Sequence, residues 1–319
     1  MERQRTEDIG QKTKDKTPLW RDERFWRIAG QVLAVLLVVI TVGILLDNLI
    51  FNSEQQGLQY GFDFLGEQAS FDIGETTIPY SPLSPYSQAL LVGITNTLRV
   101  IVIGIILASI AGLIVGFSVI SDNWLLRQLA IIYVETIRNT PLLLQLFFWY
   151  FAVFLTLPVQ ENSISLLGFI SLSNRGVELG SIRLSSEFCA LLVGLTVYTA
   201  AFIAEIVRAG IQSVPRGQWE AAKALGIKPF LMLRLVVFPQ ALRVIIPPLT
   251  SEYLNLAKNS SLAIAIAYPD IYSVYSTTLN QTGRSVEVIV LLMGTYLVID
   301  LLIAGVMNLF NSSVQIKER

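Results

Sequence analysis

The sequence predicts an all-α membrane protein of about six transmembrane helices, and three observations predict it. Apolar residues make up 53% of the 319 and charged residues only 15%, well below the roughly 25% charged of an ordinary soluble domain. The apolar residues gather into charge-free runs, several of them long enough to cross a hydrocarbon layer, and mean hydropathy is +0.59. Cations concentrate in alternate segments between those runs, and short loops rich in Lys and Arg stay in the cytoplasm.

The first segment, residues 1–27, is polar and carries Arg3, Arg5, Lys12, Lys14, Lys16, Arg21, Arg24 and Arg27 among acids, so it reads as a flexible cytoplasmic tail. Residues 28–46 follow without a charge as the first transmembrane helix, and no small-residue cleavage site comes after them. Residues 47–86 hold six acids and no Lys or Arg, which makes this an external acidic loop and sets the first span from inside to outside. The loop either covers the outer face or is a solvated linker. A second span covers 100–121, approached through Thr95-Asn96-Thr97-Leu98-Arg99, and a third ends near Pro158. Between them Glu135 and Arg138, read as lying at a helix start, have the spacing of a local pair.

Residues 159–186 form a mixed loop that is external by parity, and 188–204 is the fourth span, ending on Glu205 and Arg208, again at pair spacing. A fifth span, 244–257, contains Pro247-Pro248, which membrane helices tolerate where neighbours or a cavity take up the freed backbone groups. A broken segment at 263–275 precedes the last span, 288–310, whose lone Asp300 reads as a packed, hydrogen-bonded group, with a place in the substrate path as the alternative. Lys317 and Arg319 place the C-terminal tail, 313–319, inside. Both termini are therefore expected in the cytoplasm.

Residues 208–243 are the basic loop between the fourth and fifth spans, with six cations against the single acid Glu220. Pro215 and Gly217 precede a helix of about two turns, and Gly226 stands where a helix wants a left-handed residue past its end. So short a helix is unstable alone. It must dock against something. Ala221 and Ala222 supply a face without bulk that suits a groove, and Glu220 can pair with a basic partner residue. The other reading is an ordinary amphipathic helix on the membrane surface. Further on, Ser251, Asn255, Lys258 and Asn259 make one polar stripe on an apolar helix, flanked by Glu252. Such groups face a bundle interior, which makes the stripe a candidate substrate path; Lys258 snorkelling from a helix end, with the Asn residues bonding between helices, is the alternative.

The sequence has no histidine, which removes histidine catalysis, histidine metal ligation and a histidine pH switch. Cys189 is the only cysteine, so neither an intramolecular disulfide nor a thiolate cluster forms, and it reads as a small buried hydrophobe. A phosphate-binding Gly-x-x-x-x-Gly-Lys-Ser/Thr loop is missing as well. The chain is expected to perform no bond chemistry, to bind no metal or cofactor, and to have no nucleic-acid partner.

Glu220-Ala221-Ala222, three residues, Gly226, nine residues, aliphatic Val236, one more residue and then Phe238-Pro239 resembles the signature of the permease subunits of binding-protein-dependent ABC importers, with Phe238 where the family has Leu. Arg138-Asn139-Thr140-Pro141 before Leu142-Leu143-Leu144-Gln145, with Asn139 in place of Gly, is similar to their polar amino-acid branch (histidine, glutamate/glutamine and general L-amino acid). Lys258-Asn259-Ser260-Ser261-Leu262 also resembles a stretch of the permease family as a whole. The resemblance covers 87–312 as a five-helix permease core, to which the N-terminal anchor helix and outer loop are added.

It implies that Glu220, Ala221, Ala222, Gly226 and Pro239 belong to a cytoplasmic coupling helix and loop that dock on a dimer of separate ABC ATPase subunits. It also implies an identical or homologous permease partner, an extracytoplasmic amino-acid-binding protein, an amino-acid substrate, and a multi-pass place in the lipid bilayer of the inner membrane. Two readings from other classes stand beside it. One is an ion-coupled secondary transporter with its own charged site at Lys258, Glu252 or Asp300, although no internal repeat accompanies it. The other is a membrane scaffold that only recruits an ATPase.

Overall fold

The computed structural model describes residues 23–55, 61–166 and 169–314. Most of the 1–27 tail and residues 315–319 of the C-terminal tail, with Lys317 and Arg319, lie outside the described residues. The chain divides into two compact units, Met1–Tyr60 and Gly61–Arg319. The first unit contributes one helix, α1 (Glu23–Gln55). It extends the expected first span at both ends, and none of Trp26–Leu45 is buried, as befits a helix whose whole circumference is apolar.

The second unit is a helical bundle. Its first long helix, α2 (Tyr86–Val119), begins well before the apolar run and carries Asn96, Thr97 and Arg99 in its first half. After a short turn α3 (Trp124–Arg138) starts on Asn123, whose side chain accepts from Leu126 N. Pro141 then interrupts the helix, and α4 (Leu142–Phe147) continues through a wide π turn, Phe148–Phe154. The third span is therefore a broken one: its apolar part is Leu142–Phe154, about 20 Å long at 1.5 Å per residue. Glu135 and Arg138 close α3 rather than open a helix. Five other helical stretches are long and apolar enough to cross a membrane: Trp26–Leu45, Tyr86–Val119, Ser186–Gln212, Pro229–Ile266 and Ser285–Val314.

Residues 159–186 are not a plain loop. They hold an antiparallel meander of β1 (Ile164–Leu166), β2 (Ile170–Ser173), β3 (Gly176–Leu179) and β4 (Ile182–Ser185). The register sets Ser165, Ser171, Glu178 and Arg183 in one cross-strand row, and Ile164, Leu172, Val177 and Leu184 in another. Because successive strand residues point to opposite faces, one face is polar and the other aliphatic. Val177 and Leu184 on the aliphatic face pack on a helical core of Leu146, Phe154, Phe188, Leu191 and Tyr268.

Ser185 ends the sheet and caps α5 (Ser186–Gln212), accepting from Phe188 N. α5 lies against α2 at close range: a Cβ on Gly112 would stand 2.6 Å from Ile203 and one on Gly116 2.8 Å from Val207, so only glycine allows this approach. The chain then turns through α6 (Arg216–Ala224) and enters α7 (Pro229–Met232), a π turn at Leu233–Val237, and α8 (Phe238–Asn259). A 3-10 stretch, Ser260–Ile266, α9 (Ile271–Thr282) and α10 (Ser285–Val314) complete the bundle. Asp270 caps α9 by accepting from Ser273 N at 2.8 Å.

The expected outer loop is likewise structured. Its first part belongs to α1, and Gly61 onward packs as a strap on the bundle, with Phe64, Ala69 and Ile73 buried. Fully buried Asn96 on α2 accepts from Thr77 Oγ1 at 2.7 Å and donates to the carbonyls of Glu75 and Pro269, each at 2.9 Å. The Glu75 carboxylate meets Arg99 Nη1 at 2.6 Å and accepts from the Ser185 hydroxyl, while the Arg99 guanidinium lies 4.1 Å over the Phe188 ring. Gly61 N donates to Glu287 Oε1 at 2.9 Å. Burial, and then the neighbouring Asp72, raise the Tyr80 phenol above its ordinary range, and its hydroxyl donates to Phe71 O at 2.7 Å.

Candidate functional site

The nine residues of α6 begin after Pro215 and end in a hydrogen-bonded stop. Gly226 takes φ +69°, Gly226 N donates to Lys223 O and Ile227 N to Ala222 O, the paired bonds of a Schellman ending. Gly226 thus does what its position in the sequence predicts. Ala222 is buried, packed with Ile211, Val214, Met232 and Val237, and Trp219 leans on the same cluster. Glu220, Ala221, Lys223 and Ala224 are exposed. The two alanines therefore point to opposite sides: Ala222 anchors the helix to the bundle and Ala221 is left on the free face.

Two neighbours went unnoticed in the sequence. Leu225 is 78% exposed and Phe230 71%, among the most exposed large apolar side chains of the described residues. Their signal was present, since both are bulky hydrophobes inside a charged loop beside Lys223 and Lys228. Pro239 sits exposed in the first turn of α8, directly after the π turn, whose irregular bonding accommodates a residue without an N–H. Phe238, where the resemblance expects Leu, packs on Phe117 with ring centroids 5.8 Å apart. From Pro229 to Ile266 the helix runs on as a single apolar stretch that begins five residues after the end of α6.

On α8, Ser251, Asn255 and Lys258 are exposed and Asn259 is half-buried, while Leu256 and Ala257 turn into the core. The structure brings all four stripe residues to one side of the helix. Glu252 lies beside Asn255. Lys258 does not merely reach out from a helix end: its Nζ is 3.6 Å from Asp300 Oδ2 on α10. Asp300, expected either as a packed, hydrogen-bonded group or as part of the path, leaves its buried Oδ1 without a hydrogen-bond partner.

A second charged cluster joins α3 and α5. Arg208 donates to Glu205 at 2.9 Å and to Gln212 at 2.7 Å, confirming the expected pairing of Glu205 with Arg208. The expected pairing of Glu135 with Arg138 gives way to a longer-range one: Arg138 lies 3.9 Å from Glu205 and 5.2 Å over the Phe202 ring. Glu135, Arg138, Glu205 and Arg208 line a cavity of about 330 Å³. Cys189 is buried. Among the described residues, no group of three or more Cys, Asp or Glu side chains is placed to hold a metal ion.

Comparison with known proteins agrees with this architecture. Residues 87–316 match the family described as "Binding-protein-dependent transport system inner membrane component". The putative amino-acid ABC transporter permease protein YhdX of Escherichia coli K12 is 40% identical, covering 91% of this chain and 94% of its own length. The general L-amino acid transport system permease protein AapQ of Rhizobium johnstonii is 36% identical over 93% of this chain and 94% of its own. Among solved structures, an amino acid ABC transporter crystallised with histidines matches with TM-score 0.58 and 26% identity, over 72% of this chain and 95% of that one. The inward-facing MetNI methionine ABC transporter shares the fold, with TM-score 0.55 and 21% identity over 72% and 97%. These matches give the ion-coupled reading no support. The chain belongs to the family of binding-protein-dependent transport system inner membrane components: it is a membrane permease subunit of an ABC importer.

Proposed function

We propose that the chain is the permease subunit of an ATP-driven amino-acid importer and that it works through α6. The single observation that carries this is the division of that helix: Trp219 and Ala222 fix it to the bundle, while Glu220, Ala221, Leu225 and Phe230 stand free beside a helix that runs unbroken into α8. A separate ABC ATPase dimer, on the cytoplasmic side with both termini, receives the free face in a groove. Pro239 and Gly226 set the length and end of the docking loop. Amino-acid substrate is the chemistry of the relatives' names, delivered from outside by a soluble binding protein. The exposed face of α8, with Ser251, Asn255, Lys258 and Asn259, lines the path between this chain and an identical or homologous permease.

Nothing on this chain breaks a bond. ATP binding closes the ATPase dimer, the closure moves α6, and the bundle shifts between inward- and outward-facing states. The energy enters as the difference in ATPase affinity for those two states, the most that any ligand contributes to a conformational equilibrium. Purification of the tagged chain from its native membrane in mild detergent tests this. An ATPase subunit should accompany the wild type and be lost from Glu220→Lys, while a wild type that carries no ATPase would overturn it. Any second permease chain in the preparation would decide between homodimer and heterodimer.

A further inference from the structure

The Lys258–Asp300 pair has features that a purely structural ion pair lacks. At 3.6 Å it is longer than the roughly 2.7–2.9 Å of a formed ammonium–carboxylate hydrogen bond. One partner is open, since the Lys258 side chain is 60% exposed. The other keeps an unused acceptor, Asp300 Oδ1, which is buried without a hydrogen-bond partner. Ionisable groups inside a membrane are costly, and they are retained mainly where they act. A pair with one partner this exposed contributes little to stability alone.

We propose that Lys258 and Asp300 together bind the backbone zwitterion of an α-amino acid in transit, Lys258 receiving the α-carboxylate and Asp300 the α-ammonium. The inference rests on the importer reading above and names the residues that would recognise its substrate. An ammonium and a carboxylate carried by one α-carbon, laid antiparallel to the loose pair, give a four-cornered array of alternating charges. Each protein charge then exchanges one long contact for a short charge-assisted hydrogen bond, and the orphaned Oδ1 gains a donor. Asn255, one turn before Lys258 on the same exposed side of α8, is placed to meet whatever projects from the α-carbon. A site built this way reads the part that all α-amino acids share, so selectivity among side chains must come from elsewhere, such as the binding protein.

The test uses the whole assembly, with its ATPase and binding protein, in proteoliposomes, and follows radiolabelled L-glutamate and L-glutamine. Lys258→Met should lower uptake of both by about 10- to 100-fold, the loss of one hydrogen bond to a charged group. The double variant Lys258→Met/Asp300→Leu separates the two roles. Replacing both charges by apolar groups satisfies a structural pair, so the complex should assemble as the wild type does on size exclusion while uptake stays lost. Uptake within twofold of wild type in either variant would overturn the inference. A wild-type assembly that hydrolyses ATP but moves neither amino acid would instead overturn the importer reading, and this inference with it.

Discussion

The 61–85 strap and the 208–243 loop are both polar connections, and the bundle treats them in opposite ways. In the strap, the polar groups find partners within the chain: Thr77 and the carbonyls of Glu75 and Pro269 meet Asn96, and Glu75 itself meets Arg99 and Ser185. In the loop, Glu220, Lys223, Leu225 and Phe230 are left at the surface, held only from behind by Trp219 and Ala222. A satisfied region contributes stability to this chain; one that displays both charge and large hydrophobes is complete only with a partner. Substitutions should divide along the same line, with the strap costing stability and the loop costing association.

Asn96→Leu should have the largest effect on folding, about 3 kcal/mol, because it removes three hydrogen bonds and leaves the carbonyls of half-buried Glu75 and Pro269 unpaired; thermal unfolding in detergent measures it. Gly112→Val follows at about 2 kcal/mol, since its first added carbon already meets Ile203 at 2.6 Å, and the same assay should show α2 and α5 forced apart. Gly226→Val asks a β-branched residue to hold φ +69°, at a cost of about 1–2 kcal/mol confined to the end of α6. Faster proteolysis within residues 224–230, with the bundle intact, would report it. Leu225→Asp/Phe230→Asp should leave stability within about 0.5 kcal/mol, as exposed substitutions do. It should still weaken ATPase association by about 30-fold or more if the two are anchors, which a pull-down titration measures. Destabilisation of the bundle by this last pair would erase the contrast between strap and loop.

How much of this was legible in the sequence depends on whether the governing contacts are local. Charge-free runs announced the long spans because hydrocarbon imposes one rule on every residue it touches. Gly226 was legible because a helix stop is decided within a few residues. The break at Pro141 was written in Asn139-Thr140-Pro141, but the partner of Arg138 was not, since Glu205 is distant in sequence. The sheet was legible and missed: Ile170-Ser-Leu-Ser, Val177-Glu-Leu and Ile182-Arg-Leu-Ser alternate with period two, separated by Asn174-Arg175 and Gly180-Ser181 turns. The strap was not legible, because Glu75 meets Ser185 across 110 residues and Gly61 meets Glu287 across 226. Of the candidate site, the loop signature could be read directly, whereas the opposite facing of Ala221 and Ala222 and the approach of Asp300 to Lys258 required the fold.

The most direct test of the central claim is site-specific crosslinking from Leu225→Cys in native membranes, which is clean because the only native cysteine, Cys189, is buried. A short bifunctional reagent should join position 225 to an ATPase subunit, and Ala222→Cys, on the buried side of the same helix, should not. Free modification of position 225 by a water-soluble maleimide, with no crosslinked partner in membranes that contain the assembled transporter, would contradict the account.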